Sequence, residues 1–266
     1  MADDALPPVG FIGTPTARAS RTYRTVLAGI HLIGRFVFGF RIEVVGMDRF
    51  PRTSDGRPAG GWIAAGIPHR TWVDPFVVAE TLPIEPRLVF FGDGQAIYRS
   101  RWRRLLVRRI GGVIPIWPGA GREAVEGYMG AAAAALDAGA VLCLFTETGA
   151  ATPPGTARPF GSGLAYFALR TGAPIVPLVL GGTHELYLHR RFRLEVLDPV
   201  TWQDLAGVAR DTAPPEPWSS AERRLVRTIT LALHERTAAT VAAAHRASTL
   251  PPGRHKRWAW LTTAWH

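Results

Sequence analysis

Cysteine is almost absent from this chain. Cys143 stands alone in the apolar run AVLCLFTE, so no disulfide can form within one chain and the fold must rest on its core. A thiol in such a run reads as a buried spectator, not a nucleophile. Lysine is equally scarce: Lys256 is the single one among 31 basic residues. Long apolar runs are missing too. The best membrane candidate, VLAGIHLIGRFVFGF at 26–40, would span roughly 22 Å as a helix, short of the roughly 30 Å hydrocarbon core of a bilayer. It also carries His31 and Arg35. It reads as a helix that lies in the interface or packs on the domain, not as a span. The opening MADDALPPVG is acidic and proline-rich, unlike a secretory signal.

The signatures of several chemistries are lacking as well. No G-x-S-x-G occurs, and FGSGL around Ser162 does not match it. No Cys/His cluster and no pair of histidines at metal-helix spacing point to a metal, and no P-loop or dinucleotide glycine fingerprint follows a strand. No internal repeat is visible.

What is present suits one large α/β domain. The chain has 266 residues, 47% of them hydrophobic, enough for a full core. Strand-like runs at 41, 61, 86, 111, 140, 173 and 191 alternate with helical stretches, the clearest at 121–139 and 219–246. AVLCLFTE and APIVPLVLGG are continuously apolar, as in parallel strands covered on both faces. The expected fold is α/β, a mostly parallel central sheet flanked by helices, with an amphipathic helix over residues 18–39 before it. The net charge of +10 favours anionic partners. It is spread along the chain and not gathered in a basic–aromatic motif, so nucleic acid ranks last among them.

GIPHRTWVDPFVV, residues 66–78, interrupts an apolar run with His69 and Asp74, five positions apart. Asp74-Pro75 reads first as a helix start, with Asp at the N-cap and Pro at the first helical position. His69 alone could be structural. Its place just beyond a buried strand, where α/β sheets carry their crevice, favours a working role. A loop turning into the helix can fold the Asp74 carboxylate onto one imidazole nitrogen, leaving the other to act as a base. With no serine partner, that base would activate a hydroxyl of the substrate itself.

The His-x4-Asp of His69 and Asp74 resembles the first block of the 1-acylglycerol-3-phosphate acyltransferase superfamily of glycerolipid acyltransferases. GGVIPIW, with Gly112, Ile114 and Ile116, resembles its second block. LFTETG, with Phe145, Glu147 and Gly149, resembles the third, and APIVPLVLGGT with Pro177 the fourth. The likeness covers roughly residues 40–200. It implies transfer of a fatty acyl group from an acyl-CoA or acyl-carrier-protein thioester to a hydroxyl of a lipid acceptor: a lysophospholipid, glycerol phosphate or glycolipid. By the resemblance His69 is the base, Asp74 orients it, and no acyl-enzyme forms. Thr146, Glu147, Thr148 and Gly149 would line the acceptor site, and no cofactor is needed. The chain departs from the pattern in three places. Pro68 precedes the histidine where the family has Asn, and Pro118 and Ala150 stand where arginines are usual. Those arginines would clamp a phosphate; Arg122 or Arg158 is a candidate substitute. The departures also leave open a non-catalytic lipid-binding protein on the same fold.

The organisation expected is an N-terminal extension and amphipathic helix at 1–40, an acyltransferase domain at 41–250, and a basic, Trp-rich tail at 251–266. The helix around YRSRWRRLLVRRI and the tail with Trp258, Trp260 and Trp265 suit an anionic membrane surface, or equally a solvated face and a packed tail. The resemblance makes a cytoplasmic protein, peripheral on the inner face of the cell membrane, the expected setting.

Overall fold

The central strands of this chain are apolar on both sides of the pleat, and a sheet built around them must be covered on both faces. The computed structural model describes residues 16–99, 101–117, 119–147, 153–249 and 256–262. In chain order the elements are α1 (Arg21–Leu32), β1 (Arg41–Val45), β2 (Trp62–Ile67), α2 (Asp74–Thr81), β3 (Leu88–Asp93), α3 (Gly94–Tyr98) and α4 (Arg101–Ile110). Then come β4 (Val113–Ile116), α5 (Arg122–Asp137), β5 (Val141–Phe145), α6 (Gly163–Thr171), β6 (Ile175–Gly181), β7 (Arg191–Val196), α7 (Trp202–Ala206) and α8 (Ser220–Ser248).

The seven strands form one sheet in the order β1-β7-β6-β2-β5-β3-β4, parallel throughout except for the antiparallel β6/β7 pair. β2 runs through the centre, between β5 and β6. Its residues divide by alternation. Ile63, Ala65 and Ile67 join the core under α5, α6, α7 and α8, while Trp62 and Ala64 join the core that Val77 and Val78 of α2 cover. Full burial of each large apolar side chain is worth about 1.5–3 kcal/mol, so both cores hold β2 in register.

The N-terminal helix is shorter than the 18–39 expected. Ser20 caps α1 through a bond to the Tyr23 amide, and the chain then widens into a π-turn at Ile33–Val37 before Gly39 turns it toward β1. Tyr23 is the one buried residue of α1, whereas Leu32, Ile33, Phe36 and Val37 are exposed. Among the described residues no helix is long and apolar enough to cross a membrane.

Candidate active site

The three central strands β2, β5 and β6 are parallel, so the loops that follow them meet at one edge of the sheet. His69 follows β2, Thr146 and Glu147 follow β5, and Gly182 to His184 follow β6. That edge is where an open α/β sheet forms its crevice.

Asp74 does not cap α2 as its sequence suggested. Val73 holds the N-cap position, Asp74 is the first helical residue and Pro75 the second. The carboxylate turns backward over its own loop instead. Its Oδ2 accepts the backbone N–H of Arg70 at 2.6 Å and of Thr71 at 2.8 Å, and lies 2.9 Å from His69 Nδ1. Asp74 is fully buried, and its Oδ1 has no partner among the described residues. A carboxylate only accepts, so the contact puts the proton on Nδ1 and leaves the Nε2 lone pair available in the neutral ring. The His69 side chain is 43% exposed, against 0% for Asp74. A base needs that asymmetry: a buried anion behind it and an accessible nitrogen in front.

The ring is held from below as well. It stacks on Phe145, centroids 4.3 Å apart and planes 24° from parallel. Phe145 can lie there because β2 carries Gly66 beside it. A Cβ on Gly66 would fall 2.5 Å from the Phe145 ring.

Glu147 is buried, and both its oxygens are engaged. Oε2 accepts the His69 amide at 3.2 Å and Oε1 the Arg158 amide at 2.7 Å. The guanidinium Nε atoms of Arg70 and Arg158 lie at 3.8 and 4.0 Å. Burial pulls the Arg70 guanidinium below the usual arginine value, with Glu147 opposing the shift and Arg158 adding to it. Glu147 therefore ties the loop after β5 to the loop after β2 from inside the protein. Thr146 is buried beside it: its amide bonds to the Gly66 carbonyl at 3.3 Å, and its Oγ1 has no partner among the described residues. Thr148 and Gly149 lie outside the described residues.

Arg122 does not join this cluster. Its guanidinium stacks over Trp218 at 4.9 Å, and Arg170 stacks on the same ring at 4.6 Å. Arg170 sits at the C-terminal end of α6, whereas the other end of α6 adjoins Thr146 through the Gly161 amide. Arg158 meets Glu147 through its backbone amide, and its Nε stands 4.0 Å from the same carboxylate.

Two features that motif reading missed flank the loop. On one side a groove of about 630 Å³ opens between α1, β1 and α2, lined by Ile30, Ile33, Phe38, Trp72, Phe76 and Phe192. Trp72 is on the His69–Asp74 stretch itself, and Phe76 follows it in the first turn of α2. The other side holds Arg70 beside His184 and His245. Burial, then Arg190 and His245, push the His184 ring down to about 4. Neither feature has a local sequence signature, since the residues come from distant segments. Among the described residues no group of three or more His, Cys, Asp or Glu could hold a metal ion.

Comparison with known proteins gives a fold and a family. A solved structure, the 1-acyl-sn-glycerophosphate (LPA) acyltransferase PlsC from Thermotoga maritima, has a similar fold: TM-score 0.50, 18% identity, 82% of this chain and 81% of that one covered. No protein with a curated description matches. The family model named Acyltransferase matches residues 41–181, from the first strand to the end of β6 and so across His69, Asp74 and Glu147. The chain belongs to the Acyltransferase family.

Proposed function

We propose that this acyltransferase moves a fatty acyl group from an acyl-CoA or acyl-carrier-protein thioester to a hydroxyl of a membrane lipid. The observation that carries the reading is the His69–Asp74 pair at 2.9 Å, a half-exposed ring on a fully buried carboxylate, in a loop whose Trp72 lines an apolar groove. The acceptor hydroxyl gives its proton to Nε2 as its oxygen attacks the thioester carbonyl carbon. The C–S bond then breaks, the thiolate leaves, and the imidazolium returns the proton to sulfur. The buried Asp74 carboxylate stabilises the imidazolium between these steps and holds the tautomer. General-base catalysis of this kind contributes roughly 10²–10⁴ in rate. The scheme needs no cofactor and no acyl-enzyme.

The apolar groove supports a fatty acyl substrate. Its volume falls within the roughly 300–1,000 Å³ of small-ligand sites, and each methylene buried there contributes about 0.8 kcal/mol. At its rim His31 and Glu80 meet at 2.6 Å.

Attachment to an anionic membrane face belongs to the same proposal. Exposed Leu32, Ile33, Phe36 and Val37 lie at the end of α1, which packs against the basic α4. The C-terminal segment reaches the same neighbourhood: Leu188 N–H bonds to the Arg257 carbonyl, and His189 N–H to that of Phe38. Leu261 is buried while Trp258 and Trp260 are exposed, and exposed aromatic and aliphatic side chains together with an arginine-rich helix suit a headgroup-level contact.

Incubating the protein with a membrane lipid extract and isotopically labelled acyl-CoA tests the reading. One lipid species should gain the label and name the acceptor. Retention of lipid with no labelled product would favour the non-catalytic lipid-binding alternative, which Pro118 and Ala150 at the usual arginine positions motivate.

A further inference from the structure

We propose that the basic cleft on the far side of the His69 loop, formed by Arg70, His184 and His245 with Arg190 behind it, takes a phosphate oxygen of one of the two substrates. The inference rests on the acyl-transfer reading for the identity of the ligand, and on the cleft itself for its charge. Pro68 and Arg70 form one wall, Gly155 another, Gly182 to His184 the floor, and His245 of α8 the third side. The loop that carries the base thus borders an apolar groove through Trp72 and Phe76 and a cationic cleft through Arg70.

Charge and size both select the ligand. The His184 and His245 rings lie 4.8 Å apart with no acid between them. His184 Nε2 has Glu185 at 4.0 Å, but Lys256 already holds that carboxylate at 2.5 Å. Asp74 and Glu147 are engaged with backbone amides, Glu147 also lies 3.8 Å from Arg70 Nε, and Arg70 Nη2 donates to the Thr156 carbonyl. Arg190 is 1% exposed. Its Nε donates to the Gly182 carbonyl at 2.8 Å and its Nη1 to the Tyr187 hydroxyl, while Nη2 is buried without a partner. That Nη2 lies against Gly182, where a Cβ would come within 3.1 Å of it. The loop at Gly155 (φ +83°) closes directly onto the His245 ring, 2.7 Å from where a Cβ would stand.

Burial first, and then the cationic neighbours led by Arg190, hold both imidazoles below the usual histidine range. A positive field of this kind is relieved by an anion, and an arriving phosphate would bring a proton onto the pair. The enclosed part of the cleft is about 10 Å³, room for one water-sized group. It excludes an alkyl chain and admits a single phosphate oxygen, the rest of the group remaining at the mouth. The phosphate comes either from the acceptor headgroup or from the coenzyme A of the donor.

The test begins with inorganic phosphate added to the full-length protein while the histidine ring proton resonances are followed by NMR across pH 4 to 8. Two rings should shift saturably and titrate at higher pH with phosphate bound, and His184→Gln/His245→Gln should abolish the response. His245→Gln alone, on the partly exposed side of α8, serves if the double variant does not fold. No saturable shift in the wild type, or the same shift in a folded variant, overturns the cleft as an anion site. Turnover then names the source. One arm compares a phosphate-bearing lysolipid with an uncharged monoacylglycerol, the other acyl-CoA with the phosphate-free acyl-N-acetylcysteamine thioester. Loss of a charge-assisted hydrogen bond should lower the preference for the phosphate-bearing member about tenfold or more, in one arm only. If neither preference moves although the NMR response is lost, the phosphate is not a substrate's and the proposal fails. If the wild type turns over nothing in either arm, acyl transfer itself is wrong, while the phosphate titration still decides the cleft.

Discussion

Glu147 grips His69 by its backbone and not by its ring: Oε2 accepts the His69 amide at 3.2 Å while Oε1 accepts the Arg158 amide at 2.7 Å. The carboxylate sits between two guanidinium groups at 1% exposure. These bonds fix where the His69 backbone stands. Glu147→Gln keeps the size, but its amide cannot accept the second N–H and leaves Arg70 and Arg158 without their anion. Stability should fall by about 2–4 kcal/mol in urea unfolding, and kcat should fall with it. Unfolding unchanged from the wild type would mean that Glu147 touches substrate alone.

Gly66 and Phe145 form a second constraint on the ring. Gly66→Ala places a methyl group 2.5 Å from the Phe145 ring and should tilt the platform under His69. A displacement of about 1 Å at a catalytic group costs up to about 100-fold in rate. Phe145→Ala in the same chain should restore part of the loss, because it removes the atoms in conflict. Additive losses in the double variant would show that the two positions act independently.

Stability should carry an acid limb from His184. Its folded value of about 4 lies below the ordinary 6.5, for reasons of burial first and then the charges of Arg190 and His245. The unfolded chain therefore binds a proton that the folded chain refuses. Stability falls as pH drops from about 6.5 to about 4 and loses nothing further from this group below that. Lys256, Glu185 and Arg70 also face the pair. His184→Gln should flatten this limb in thermal melts recorded against pH, and added phosphate should raise the wild-type melting temperature most at its acid end.

Vesicle binding should depend on the π-turn after α1. Phe36 and Ile33 are 75% and 52% exposed, and burying such a side chain contributes about 1.5–3 kcal/mol. Ile33→Ser/Phe36→Ser should weaken partitioning onto anionic vesicles at least about tenfold in a sedimentation assay. Glutamine at Arg104 and Arg108 should weaken it mainly at low salt, by about 1 kcal/mol per arginine. Undiminished binding of both variants would remove this face as the contact.

Much of this architecture was legible because parallel strands covered on both faces carry their own signature. The unbroken run at 141–145 and its neighbour at 175–181 could be little else, and Gly139 marked where α5 stops. The reversal at β7 was not legible: alternation in RFRLEV tells which side chains point inward, not which way the strand runs. His69 and Asp74 were visible from their spacing. For the Asp74 carboxylate the sequence left two directions open, forward as a cap before proline or back onto His69, and the loop's own amides decide for the second. Arg122 looked available on sequence because nothing local announces Trp218, 96 positions away. The apolar groove and the His184–His245 cleft escaped for the same reason. Each is assembled from segments that only the sheet order brings together.

The most direct measurement is coenzyme A release from acyl-CoA in the presence of a lysolipid acceptor, comparing wild type with His69→Ala of equal unfolding midpoint. If Nε2 of His69 takes the acceptor proton, the rate falls by roughly 10²–10⁴ at unchanged acyl-CoA affinity. A His69→Ala protein that releases coenzyme A as fast as the wild type leaves the His69–Asp74 pair with no part in the chemistry.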